Sequence, residues 1–306
     1  MAEPTLSVDY QTLCREVARQ LGYGSTYATG TITTSSSSTT ITLANGTWPT
    51  WAGTTSSGSS AINISGTFYA VTTRTNGTAL VIDTAVNLSG ATNFVLVESR
   101  QNTKTDTFQD IQDVIDEGYR ELCFPPPTGE EPFFVWSWLL EQGSFALGTN
   151  DWDEDLPENF GQFINNSVTY AKGSTNRGLT FISQQEFRGK QARDDATGTP
   201  EYIAWRQKAH DATVGRRFEA LLYPTPEAAD NGATVAFLYR VVPEQLSPTN
   251  RYPLCGAAHS DTLLKAVQSA AERKLDDESS VYAQKYAERL AASIAADRAV
   301  KATMGI

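Results

Sequence analysis

The stretch "TYATGTITTSSSSTTITLANGTWPTWAG", residues 26–53, contains no charged residue and is dominated by Ser, Thr, Gly and Asn. Such a composition is typical of a flexible linker. The apolar residues nevertheless alternate with threonines, as Ile32 does in "TITT" and Ile41 and Leu43 do in "TTITL". A period of two is the pattern of a strand with one buried face, so the stretch is predicted to fold as β structure.

The same pattern continues to residue 99. The segments "AINIS", "FYAVTT", "ALVIDT" and "NFVLVES" are rich in β-branched or aromatic residues, and Asn-Gly or Ser-Gly pairs separate them. This spacing predicts about six short strands joined by tight turns. Residues 25–99 are therefore predicted to form a small β-barrel or sandwich, with the tetraserine at 35–38 as a hairpin tip.

Two amphipathic segments flank this β module. In the first, Tyr10, Leu13, Val17 and Leu21 recur at steps of three or four residues, which predicts a helix with one apolar face. A β module between two helices is most simply explained as an insertion into a helical hairpin. The second segment ends at three prolines, residues 125–127. Its apolar face is formed by Phe108, Ile111, Ile115, Gly118 and Leu122.

The rest of the chain divides into a β-rich part and two further helices. Residues 133–250 contain short apolar runs separated by prolines and are predicted to be largely β. The predicted fold class is α+β, because no amphipathic helix buries its stripe alone and the N- and C-terminal helices are expected to form one bundle. The predicted domains are 1–24, 103–128 and 256–306 as this bundle with a C-terminal tail, 25–102 as the inserted β module, and 129–255 as a β-rich domain.

Composition excludes several classes of protein. The chain has 306 residues and a net charge of −11, which disfavours a surface built to grip phosphate backbones. The first residues are not expected to be a signal peptide, and the sequence contains no apolar run long enough to cross a membrane, so no membrane partner is expected. The three cysteines, Cys14, Cys123 and Cys255, match no metal spacing and are interpreted as buried free thiols.

No cluster of residues predicts catalysis, a cofactor or a metal. The two histidines, His210 and His259, have no metal-binding or catalytic partner at a suitable spacing. Asp151, Asp153 and Asp155 have the spacing of a calcium loop, but the required later Gly and Glu are absent, so a solvated acidic turn is the preferred interpretation. The aromatic run at 133–138 is interpreted as core packing rather than as a binding platform.

Acidic residues are concentrated in one region. Residues 106–160 contain fourteen acidic side chains and one base, Arg120, for a local charge of −13. The simpler interpretation is a solvated helix face with acidic loops. The alternative is a surface that repels DNA or that meets a basic partner.

The order of several segments resembles bacteriophage head-to-tail adaptor proteins, also called connector or neck proteins. The resemblance covers most of the chain outside 25–99 and rests on a Gly-Tyr-Arg helix, a Leu-Pro-x-x-Phe turn and a Tyr-Pro-x-Pro strand end before a Tyr-Arg strand. None of these motifs is chemical. The quoted segments are "DVIDEGYRELCFPPP", "FFVWSWL", "EDLPENFGQF", "GTPEYIAW", "FEALLYPTPEAADNGATVAFLYRVVPEQLS" and "AAHSDTLLKAVQSAAERKLDD".

The resemblance implies a non-enzymatic virion protein at the neck of the particle, made in the host cytoplasm. Such proteins form a ring, usually of twelve subunits, that docks on the portal protein and bridges to a tail or nozzle protein. DNA would pass through the lumen without sequence-specific binding. The C-terminal segment would reach the portal, and the residues expected to contact it are Arg298, Lys301, Met304 and Ile306.

Two other functions remain open from the sequence. The first is a carbohydrate- or receptor-binding tail protein that uses the 25–99 module, because Trp48 and Trp51 could stack on sugars. The second is an enzyme whose catalytic cluster forms only in three dimensions.

Overall fold

The computed structural model describes residues 6–53, 59–99, 105–127, 134–164, 167–171, 178–194, 196–275 and 281–304. It divides into two compact units. Unit 1 comprises Met1–Trp136 and Glu244–Ile306, and unit 2 comprises Ser137–Pro243. The 25–102 module and the terminal helices thus belong to one unit, and the finer division into three domains stays a prediction.

Unit 1 is built on a seven-stranded antiparallel sheet in the order β1-β7-β4-β5-β6-β3-β2. The sheet curls into a half-barrel, and an isolated bridge pairs Ile32 with Thr92 just before the last strand. The tetraserine is the predicted hairpin tip, since Thr34 pairs with Ile41 across it. The strands are β1 Thr26–Tyr27, β2 Thr31–Thr34, β3 Ser38–Ala44, β4 Ser59–Ile64, β5 Thr67–Arg74, β6 Ala79–Val86 and β7 Val95–Ser99.

The alternating residues of the opening stretch fill the concave core of this sheet. Ile32, Ile41 and Trp48 are buried there, with Phe94 against the Trp48 ring at 5.0 Å between centroids. The strand β4 is buried on both faces, since Ala61 and Asn63 are as inaccessible as Ile62 between them. A strand buried on both sides must be covered by a second layer. Helices supply that layer in unit 1.

Four helices belong to unit 1: α1 Tyr10–Gln20, α2 Thr105–Cys123, α4 Ser260–Lys274 and α5 Val281–Met304. Helices α1 and α2 both contact the sheet as well as α4, and α5 packs mainly on α4. Asp9 caps α1 by accepting from the Thr12 N–H, and its carboxylate pairs with Arg251 at 2.6 Å. A 3₁₀ turn, Ala257–His259, leads into α4.

The predicted α+β class with a helical bundle of N- and C-terminal helices is wrong. The protein is mostly β, and the terminal helices form no such bundle. The physical reason lies in the sheet: α1 and α2 cover strands, so their apolar faces are shared between the sheet and α4. The described part of the predicted C-terminal tail, up to Met304, is helical and continues α5, and the tail itself stays a prediction.

Unit 2 contains two four-stranded sheets around one apolar core. In one sheet β15 is flanked by β8 on one side and by β10 and β11 on the other, and the second has the order β12-β13-β14-β9. Residues of both sheets, such as Phe237 and Leu222, enter the same core. The elements are β8 Leu140–Ala146, β9 Asp153–Asp155, β10 Phe160–Phe163, β11 Thr169–Tyr170, β12 Thr180–Phe181, α3 Gln184–Arg193, β13 Tyr202–Gln207, β14 Phe218–Tyr223 and β15 Thr234–Val241, with 3₁₀ turns at Ser137–Leu139 and Ala228–Asp230.

The three cysteines are buried thiols that form no disulfide, as the sequence predicts. Burial raises the pKa of the Cys14 thiol to about 12, because a thiolate would lie away from water. None of the described helices is long and apolar enough to span a membrane.

Candidate functional site

The residues expected to contact a portal lie at the end of α5. Arg298 is exposed on this helix, and Lys301 is half-buried one turn later. Nothing is described of the Met304 side chain, and Ile306 lies outside the described residues. Of the four predicted residues, the structure describes the side chains of Arg298 and Lys301, which lie about one turn apart on α5.

Both cations contact the segment at 134–136. The Lys301 ammonium donates a hydrogen bond to the Val135 carbonyl oxygen and lies 4.2 Å from the centroid of the Phe134 ring. The Arg298 guanidinium carbon lies 5.8 Å from the same centroid. A cation over an aromatic face is attracted by the ring quadrupole. The Phe134 ring therefore attracts the charged ends of both Arg298 and Lys301. Asp297, almost fully buried, forms an ion pair with Lys301 at 3.5 Å.

Trp136 anchors this segment in the core of unit 1. Its ring is fully buried, and its indole N–H donates to the Leu122 carbonyl oxygen at 2.6 Å. The Phe134 ring meets it edge-on at 4.9 Å between centroids. The interpretation of the aromatic run as core packing is confirmed for Phe134 and Trp136, whereas Trp138 is half-buried and residue 133 lies outside the described residues.

The two predicted unreactive histidines differ in environment. His210 is exposed. His259 is buried, with its ring 5.1 Å from the Trp136 ring between centroids. Burial lowers the pKa of His259, and the nearby Asp297 carboxylate partly opposes this effect.

A groove of about 300 Å³ runs between the start of α4 and the second half of α5. Arg289 and Asp261 form an ion pair across it at 2.9 Å, and the Thr262 and Ser293 hydroxyls are hydrogen-bonded at 2.6 Å. Exposed Val300 lies at its end.

Three carboxylates of α2 form ion pairs with cations of α4. Arg273 binds the carboxylates of Glu117 and Glu121 at 2.9 and 2.5 Å, and Lys274 binds Asp110 at 3.0 Å. These pairs lie at the surface, where each stabilises the fold by about 0–1 kcal/mol. The simpler interpretation, a solvated helix face, describes these acids well.

The predicted acidic turn at 151–155 is wrong for its second half, which is the edge strand β9. Pairing with β14 places Asp155 opposite Glu219, and Glu219 in turn lies opposite Arg206. Arg206 and Lys208 pair with the carboxylates of Glu219 and Asp155. Among the described residues, no group of three or more His, Cys, Asp or Glu is placed to hold a metal ion.

Helix α3 is absent from the sequence-based prediction, which assigned this region to β structure. Only Phe187 is buried on it, so no apolar stripe marks it as a helix. Ser183 caps the helix by accepting from the Glu186 N–H at 3.1 Å. A Ser with Glu three residues later is a helix-start signal that could have revealed it. The exposed face of α3 borders an open groove of about 430 Å³.

Trp48 cannot present its face to a sugar, because only 1% of its surface is exposed. Trp51 is half-buried and packs on the same core. The structure therefore gives no support to sugar stacking on Trp48, on which the carbohydrate-binding alternative partly depends.

A family model described as SU10 adaptor protein matches residues 81–305. The chain belongs to this family. The match begins within β6 and includes α2, α4, α5 and all of unit 2. No curated protein matches the chain.

Membership identifies the protein as a phage structural adaptor, a component of the virion that interacts with other phage structural proteins. The resemblance to phage adaptors is confirmed at this level. The family is structural rather than enzymatic. The site at the end of α5 is accordingly a candidate protein-docking surface.

Proposed function

We propose that this SU10-family adaptor forms a homo-oligomeric ring that joins the portal of the phage head to the tail and provides the DNA channel. The observation that carries the proposal is the family match across 81–305, which includes α2, α4 and α5 of unit 1 and the whole of unit 2. We extend that match to ring assembly and to the connection between portal and tail. Twelve subunits is the expected number.

The end of α5 is the proposed portal contact, through Arg298, Lys301, Met304 and Ile306. Arg298 and Val300 are exposed on this part of the helix, so a cation and an apolar side chain are both accessible to a partner. Lys301 is less accessible, and its proposed contribution includes holding residues 134–136 against the helix. An exposed cation beside an apolar residue suits a docking site with an acidic rim.

Native mass spectrometry of the full chain, alone and with the portal protein of the same phage, tests this proposal. We expect a closed ring on the portal, because many ring proteins associate stably only when a partner is bound. A chain that stays monomeric and shows no affinity for the portal would contradict the proposed function.

A charge reversal on α5 tests the contact itself. Arg298→Glu is expected to weaken portal binding at least tenfold, because an accessible cation is replaced by an anion at the interface. Lys285→Glu is the matched control, since Lys285 is an exposed cation on the same helix. Equal weakening by both variants, or by neither, would remove the assignment of the portal contact to this end of α5.

A further inference from the structure

The exposed surface of α3 in unit 2 is polar apart from Ala192. The helix packs on β13 and β14 through Phe187, and its other side chains point away from the apolar core. The groove along it contains no apolar side chain. Its lining residues are Ser183, Gln185, Glu186, Gly189, Lys190 and Arg193.

Three cations on this helix have no carboxylate partner among the described residues. Arg188, Lys190 and Arg193 form no ion pair with any residue that the structure describes, whereas Arg206 and Lys208 of the same unit are both paired. The only acidic residue within α3 is Glu186, and the exposed Asp194 caps its C-terminal end, so residues 184–194 carry a net charge of +1 in a chain of −11. Such segregation leaves a local positive surface on an acidic protein.

The position of Lys190 is fixed without neutralising its charge. Its ammonium lies 4.0 Å from the centroid of the Tyr202 ring and 5.9 Å from that of Tyr223. Gly189 beside it leaves the helix surface open, since a Cβ there would meet no atom within 4 Å. A bulky anion can therefore approach the helix backbone between Lys190 and Arg193.

We propose that this surface of α3 binds the phosphate backbone of double-stranded DNA. Protein interfaces have an apolar centre, which this groove lacks, whereas DNA-binding surfaces are polar and positively charged. The inference rests on the proposed DNA channel and assigns residues to its contact with DNA. Arg188, Lys190 and Arg193 supply the charge, and no base is read, so the binding is weak and independent of sequence.

The strength of such binding follows from the number of phosphates that are neutralised. Three cations give a slope of about −2.7 for the logarithm of the binding constant against the logarithm of salt concentration. A rise from 50 to 200 mM NaCl is then expected to weaken binding by about 40-fold. Contacts this sensitive to salt let DNA move through a channel without being held.

Fluorescence anisotropy of a labelled 20-base-pair DNA duplex with the full chain at 50, 100 and 200 mM NaCl tests the proposal. Lys190→Ala/Arg193→Ala is expected to reduce the magnitude of the salt slope by about 1.8, because two phosphate contacts are lost. Arg15→Ala/Lys285→Ala is the matched control. It removes two exposed cations from unit 1 and is expected to leave binding unchanged.

Equal effects of the two double variants, or no effect of the α3 variant, would overturn the proposal. Poly-glutamate as competitor distinguishes a protein partner from DNA. Displacement of the duplex at an equal concentration of negative charge would show that α3 recognises acidic polypeptides, and would also overturn it. The assay needs neither portal nor ring, so its failure is distinguishable from failure of the proposed adaptor function.

Discussion

Helix α2 and helix α3 each contain one glycine, and the two glycines lie in opposite environments. A Cβ on Gly118 of α2 would lie 2.6 Å from the Val267 Cα atom of α4, whereas one on Gly189 of α3 would meet nothing within 4 Å. Helix α2 is covered by α1, α4 and the sheet, and α3 is attached to its sheet on one side only. Helix α2 therefore holds the layers of unit 1 together, whereas α3 buries only Phe187.

Phe187→Ala removes the one buried side chain of α3. Phe187 is 1% exposed, packs with Ala204 and Leu221 and stacks on the Trp152 ring. Its loss is expected to cost about 3–5 kcal/mol of the free energy of unfolding of unit 2. Urea unfolding and hydrogen exchange of 183–194 would measure this.

Val214→Ala is the control for that substitution, since Val214 is 49% exposed and its loss is expected to change stability by less than about 0.5 kcal/mol. Unchanged hydrogen exchange of 183–194 in Phe187→Ala would show that α3 has a further anchor and that the contrast with α2 is overstated.

Gly118→Ala and Gly189→Ala form a matched pair of substitutions within helices. The added methyl group on α2 forces α4 away, at an expected cost of about 1–3 kcal/mol. The same change on α3 is expected to be neutral or to stabilise by up to about 1 kcal/mol, because Ala favours helix over Gly. Thermal unfolding of both variants gives the comparison, and a Gly118→Ala protein as stable as the parent would contradict the close approach of α2 and α4.

Tyr10→Phe tests the buried hydrogen-bond network around Gln112 of α2. The Tyr10 hydroxyl donates to the Gln112 side-chain oxygen, and the Gln112 amide donates to Asp116 and to the Leu246 carbonyl oxygen. Loss of the hydroxyl is expected to cost roughly 1 kcal/mol. Tyr252→Phe, at an exposed tyrosine, should cost nothing measurable. Equal stability of both variants in urea would show that this network does not contribute to the helical layer.

His259→Gln tests a smaller effect, the pH dependence of the stability of unit 1. Burial lowers the folded-state pKa of His259, so the unfolded chain takes up the proton first as the pH falls through about 6.5. This contribution to stability is constant above that pH and is lost below it. The parent is therefore expected to lose more Tm between pH 7.5 and 5 than His259→Gln does. An identical loss in both proteins would exclude His259 as the source.

The same two helices show what the sequence can predict. In α2, Ile111, Ile115, Gly118 and Leu122 lie on the buried face, as their spacing predicts. The opening stretch likewise forms the expected strands and hairpin. Periodicity fixes which face is buried, because the burial of apolar groups is favoured whatever covers them.

Periodicity does not reveal what covers that face, and here the prediction of a bundle failed. The apolar stripes of α1 and α2 are compatible with other helices or with a sheet, and in the structure they contact both. Helix α3 was not predicted because Phe187 is its one buried residue, and a single buried residue gives no helical periodicity in the sequence. Its cations have no carboxylate partner among the described residues, and the sequence does not reveal this, because ion pairs such as Arg206–Glu219 form only in the fold.

Electron cryo-microscopy of the full chain assembled on the portal of its phage tests the central claim most directly. The account predicts a closed ring of this protein below the portal, with the end of α5 at the portal surface. Isolated copies without a closed ring, or a ring on which α5 points away from the portal, would contradict it.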